Sequence, residues 1–154
     1  MEQLNEYRAH LLDRLEESVR EFRAAVQSVK DANAPQADGW SAHQIAVHTR
    51  DVEKMVYGMR IRRSIAEDNP IFENFDGDAW MVEHYDPNES LASMLDELVD
   101  SVSQTVATLR PLPPETWSRP SQHETYGGGF TTHTWVERSL AHIEEHLETI
   151  KNRE

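Results

Sequence analysis

Apolar residues recur at intervals of three and four in four separate stretches of the chain, the spacing of one face of an α-helix. The first stretch covers about residues 2–31, with Leu4, Leu11, Leu15, Phe22, Val26 and Val29 on one side, and "DANAPQADG" breaks it. The second runs from Ser41 to about Ala66 through Ile45, Val52, Met55, Val56 and Met59. The third, from about Pro87 to Arg110, carries Leu91, Leu95, Leu98, Val102, Val106 and Leu109. It stops at "PLPPE", because proline lacks a backbone donor and clashes with the preceding turn. The fourth begins at Thr131 or Thr132 and runs almost to the C-terminus, with Trp135, Val136, Leu140, Ile143, Leu147 and Ile150. No stretch alternates as a strand would, and no internal repeat is present. The pattern predicts an all-α fold, a four-helix bundle formed as one domain over residues 1–154.

The start of the second helix is specified locally. In "GWSAHQIAVH", Ser41 is the N-cap, Gln44 occupies N3, and Trp40 and Ile45 flank them as a hydrophobic staple. The connection between helices two and three, "EDNPIFENFDGDAWMVEHYD", is about 20 residues, far longer than an antiparallel hairpin needs. It is long enough to cross back along the bundle, which predicts an up-down-down-up course. Its Phe72, Phe75, Trp80 and Tyr85 are expected to pack on the helices, with Trp80 at the end where the second helix begins. "YGGGF", just before the fourth helix, reads as a flexible hinge.

Composition narrows the classes. The formal charge of −13 argues against nucleic acid or an anionic membrane as partner, since either needs clustered Lys and Arg. The one basic cluster, Arg60, Arg62 and Arg63, reads as a solvated helix end. There are no cysteines, which removes disulfides and Cys-ligated zinc. No apolar run is long enough for a transmembrane helix, and the acidic amphipathic N-terminus is unlike a signal peptide, so a cytoplasmic location is expected.

The candidate chemistry lies in histidines. "HIEEH" sets His142 and His146 four residues apart on one helix face, able to point at one ion. His48 falls among Ile45, Val52, Met55 and Met59, inside the core-facing stripe of the second helix. It lies about six residues, or roughly 9–10 Å, beyond the start of that helix, and the midpoint of His142 and His146 lies as far from the end of theirs. In an up-down-down-up bundle these two helices are antiparallel, and the three imidazoles meet at one level. His10, His43, His84, His123 and His133 read as solvated. Asp51, Glu53, Glu144 and Glu145 read as charged helix surface, with one of them available to orient a ligand histidine.

"GWSAHQIAVH", "RIRRSIAEDNP…FDGDAW" and "AHIEEHLETI" together resemble the DinB/YfiT-like superfamily of metal-dependent four-helix-bundle proteins. The resemblance covers essentially the whole chain. It implies an up-down-down-up bundle holding a divalent metal on His48, His142 and His146, zinc or nickel first and iron or manganese as alternatives. It also implies a stress or detoxification role, since relatives include thiol-dependent transferases that use bacillithiol, mycothiol or glutathione. A homodimer is expected, because related bundles commonly pair.

Three neutral imidazoles leave the 2+ charge uncompensated and a coordination position open to water or substrate. Two function classes follow: a metal-dependent hydrolase or thiol-dependent S-transferase of small molecules, or a non-catalytic bundle that binds metal or a ligand. No catalytic triad, phosphate loop or dinucleotide fingerprint competes, and no general base is evident.

Overall fold

A computed structural model describes residues 1–36 and 39–152. Ala37 and Asp38, inside the predicted break after the first helix, lie outside the described residues. Each predicted helix is present. Helix α1 spans Glu2–Gln27, α5 spans Leu91–Leu109 and α7 spans Thr132–Lys151. The predicted second helix is one continuous rod in three parts: α2 (Ala42–Val52), a π-turn (Glu53–Tyr57) and α3 (Gly58–Ala66). Short helices α4 (Gly77–His84) and α6 (Pro114–Trp117) fill the connections.

The capping box at Ser41 forms as expected. Ser41 Oγ accepts from the Gln44 backbone N–H at 3.1 Å, and Gln44 Oε1 accepts from the Ser41 N–H at 2.8 Å. Thr131 caps α7 in the same reciprocal way with Thr134. The core lies where the apolar stripes meet. Leu15, Phe22, Leu95, Leu98, Val102, Trp135 and Ile143 are almost wholly buried. Burial of each such large side chain contributes roughly 1.5–3 kcal/mol. Helix α1 packs on α5 and α7, while the α2–α3 rod packs on the same two helices.

Three strands correct the expectation of a purely helical chain. Strand β1 (Ile71–Phe72) pairs in parallel with β2 (Pro120–His123), which pairs antiparallel with β3 (Gly127–Thr131). "YGGGF" is therefore part of a hairpin and not a hinge. Gly127 (φ +79°), where β3 leaves the turn, and Gly129 (φ +92°), where its register with β2 shifts, take positive-φ conformations that favour glycine. No alternation is visible in the sequence because all three strands are short and β3 is glycine-rich, which leaves too few side chains to alternate. The sheet fastens the end of α3 to the start of α7. Arg119 donates to the carbonyls of Ser64 and Glu67, and Trp135 Nε1 donates to Ser121 Oγ at 2.8 Å.

Candidate metal centre

His48 projects from α2, and His142 and His146 project from one face of α7. Their ligand atoms all lie within 4.8 Å of one another. The Nε2 atoms of His142 and His48 are 3.2 Å apart, and those of His146 and His142 are 3.0 Å apart. Tetrahedral ligands at zinc–nitrogen distances of 2.0–2.1 Å stand ~3.3 Å from each other, so the donor set fits a divalent ion.

Neighbours fix the rings. Trp40 tilts against His48 with ring centroids 4.9 Å apart, and Tyr57 lies 5.5 Å from His142. Backbone does the rest at Gly77, where a Cβ would come within 3.0 Å of His48 Cε1. Burial, and then the charge of neighbouring imidazoles, lowers His48 to about 4 and His142 to about 3. His146 is lowered as well, mainly by burial. The cluster is therefore neutral near pH 7, with lone pairs free for an ion. His142 Nδ1 is buried and has no hydrogen-bond partner among the described residues.

Several other polar residues sit differently from the sequence expectation. Glu53 is not on the surface: it is wholly buried in the π-turn, and the Ser139 hydroxyl lies 2.8 and 2.9 Å from its two oxygens. Burial raises its carboxyl to about 7. Asp51 is partly buried and accepts from Arg50 Nε and Trp80 Nε1. Glu144 pairs with Arg14, and Glu145 is exposed. His43 is buried, not solvated; its Nδ1 accepts from the Tyr85 hydroxyl at 2.6 Å and its Nε2–H donates to the Glu89 carbonyl. His123 is buried in β2, and His133 is half-buried beside Arg8 and Glu137. His10 and His84 are exposed as expected, with His84 stacked on Trp80. In the basic cluster Arg62 is exposed and Arg63 pairs with Glu67, but Arg60 is buried.

A cavity of about 270 Å³ opens beside the cluster, with His48 and His142 in its wall. Tyr57, Arg60, His123 and Arg138 also line it, none of which the helical pattern singled out. Phe75 and Gly77, from the long connection, form part of the wall. Trp80 does not. It is held beside His48's helix by its hydrogen bond to Asp51, and it packs on Phe75 and His84.

A largely helical fold with three imidazoles converging between two helices defines a class: helical-bundle proteins with a ligand set for a divalent metal. The chain belongs to the DinB superfamily, a model of which matches residues 14–150. Among solved structures it is similar to YfiT from Bacillus subtilis, with a TM-score of 0.77 and 25% identity over 94% of this chain and 86% of that one. That protein is described as "a probable metal-dependent hydrolase with an unusual four-helix bundle topology". No curated protein matches the sequence. Among the described residues, no helix is long and apolar enough to cross a membrane.

Proposed function

We propose that the protein is a metal-dependent hydrolase of small molecules, with a zinc or nickel ion held by His48, His142 and His146. The observation that carries this reading is the convergence of three neutral imidazole Nε2 atoms at the edge of a cavity. The similarity to YfiT supports hydrolysis as the reaction class. Bound there, the ion supplies Lewis acidity, polarising a carbonyl or phosphoryl oxygen and making water nucleophilic at neutral pH.

The protein's own residues do the rest. Trp40 and the bare backbone at Gly77 hold His48 in place. Phe75, Phe130 and Trp135 supply apolar walls that bind substrate and exclude water. Tyr57 is also in the wall, and a tyrosine hydroxyl can donate or accept a hydrogen bond. Nδ1 of His123 accepts the backbone N–H groups of Thr125 and Tyr126, which leaves its proton on Nε2 as a further donor. The same reading takes the chain course as up-down-down-up, with residues 67–90 as the crossover. Its support is that His48 lies in the first third of the α2–α3 rod and His142 and His146 in the second half of α7, as an antiparallel pairing of these helices requires.

The test is metal analysis of untagged protein, followed by hydrolysis assays on esters, amides and phosphoesters before and after chelation. Stoichiometric metal, lost in His142→Ala and in His48→Ala, is the expected result. Full metal retention in either variant overturns the ligand set. Turnover of an electrophile only with an added thiol assigns S-transfer in place of hydrolysis.

A further inference from the structure

The cavity beside the histidines has an unusual charge balance for this chain. The protein carries 28 acidic and 15 basic residues, yet among the described residues no Asp or Glu lines the cavity, while Arg60 and Arg138 both do. Arg60 is only 6% exposed. Its Nη2 donates to the Glu73 carbonyl at 2.9 Å, but its Nε–H is buried with no partner among the described residues. The guanidinium lies over the rings of Trp135 (4.8 Å) and Phe72 (5.7 Å), so its plane is fixed. Arg138 is spread over the ring of Phe130 at 5.3 Å. Burial is the main influence against its cationic form; Tyr57 favours that form, and Arg138, the smaller of the two neighbours' effects, repels it.

A buried guanidinium without a carboxylate is costly, and an unpaired donor adds to the cost. Natural proteins normally neutralise such a group internally. Arg60 lines the cavity without a carboxylate beside it there, and a carboxylate or phosphate is the kind of anion that a guanidinium binds. The walls around the two arginines are flat rings: Phe75, Tyr126, Phe130 and Trp135. At about 270 Å³ the space is at or below the small end of ligand pockets, roughly 300–1,000 Å³.

We infer that this cavity is a subsite for the anionic group of the substrate, a carboxylate or phosphate carried on a small flat apolar body, with Arg60 and Arg138 as its charge partners. The assignment rests on reading the histidines as the reactive centre. It adds that the substrate is an organic acid or phosphate ester, with its anion held to one side of the histidines and its scissile group towards them. The donors on Tyr57 and His123 contribute neutral hydrogen bonds to the same group.

The test is calorimetric binding to chelator-treated, metal-free protein at pH 7.5, with benzoate, phenyl phosphate and the neutral isostere benzamide as probes. At least one anion is expected to bind about tenfold or more tighter than benzamide, with affinity falling as salt is raised. The tighter of the two anions identifies the source chemistry. Arg138→Gln and Arg60→Gln are each expected to weaken that anion about tenfold while zinc titrates as in the parent. Arg138 is exposed, so its variant decides the matter if Arg60→Gln fails to fold. Equal binding of benzamide and both anions overturns the inference, and so does undiminished anion affinity in Arg138→Gln. Because no metal is present, that failure leaves the three-histidine reading standing; that reading fails separately if zinc does not titrate into the parent.

Discussion

Gly77 and His48 meet where the long connection touches α2. A methyl group on Gly77 would sit 3.0 Å from Cε1 and 3.4 Å from Nδ1 of the imidazole, so the ring has to give by a few tenths of an ångström. Gly77→Ala is expected to weaken zinc several-fold, read by competition with a chelator, while shifting overall stability by less than about 1 kcal/mol. Unchanged zinc affinity would show that the glycine has no part in placing the ligand. Glu53 gives a second prediction, based on pH. Burial raises its folded-state value from 4.5 to about 7, so between those values the folded protein holds a proton that the unfolded chain releases. The stability from that proton is complete below about pH 4.5 and is lost as pH rises through about 7. Glu53→Gln removes the dependence. In urea denaturation the variant is expected to gain on the parent from pH 5 to pH 8, by up to roughly 3 kcal/mol. His48 and His142 pull the other way, losing stability as pH falls from 6.5 towards 4, but they are common to both proteins and cancel. A constant difference across that range would refute the assignment.

At the scale of elements the π-turn has a clear signature. A Cβ on Gly58 would lie 2.7 Å from the Glu53 carbonyl oxygen, a backbone atom that cannot swing aside. Gly→Ala inside an ordinary helix stabilises by roughly 0.5–1 kcal/mol. Gly58→Ala is expected to destabilise by about 1–3 kcal/mol instead, measured by thermal melting. A stabilised variant would mean that the rod is evenly wound at this point. This turn also marks where the sequence stopped being legible. Apolar periodicity located the helices because each buries a stripe, and His48 stood out because an imidazole interrupts such a stripe. The π-turn leaves no comparable mark, since Glu53, Lys54 and Tyr57 look like a surface segment until one knows that Glu53 points inward to Ser139. Arg60 was hidden for a related reason: its charge suggested solvent, while its planar face is buried on Trp135. The small sheet was equally silent, its strands being defined by pairing partners far away in the chain, such as Phe72 with His123.

For the molecule as a whole, the histidines join positions 94 residues apart. An ion that binds only the assembled set stabilises the fold by mass action, about 2.7 kcal/mol at a free concentration 100 times Kd. For a chain of this size that corresponds to a rise in Tm of about 5–10 °C. Calorimetric melting with and without zinc reads the shift, and His142→Ala is expected to abolish it. An equal shift in that variant would place the stabilising ion elsewhere.

The π-turn also acts as a phase adjuster for the whole cavity. An α-helix advances about 100° per residue, so evenly wound steps from His48 to Arg60 would leave the two side chains roughly 120° apart around the axis. Absorbing one extra residue in a widened turn removes one step and brings them to within roughly 20°. The histidine and the guanidinium thus share one cavity because of a local surplus of chain between them. Deleting a single residue from Glu53–Tyr57 would restore even winding with eleven steps between them and keep Arg60 in the cavity, whereas winding all twelve steps evenly would rotate it out. The spacing of the rod, as much as the identity of its side chains, decides which charge the histidines face.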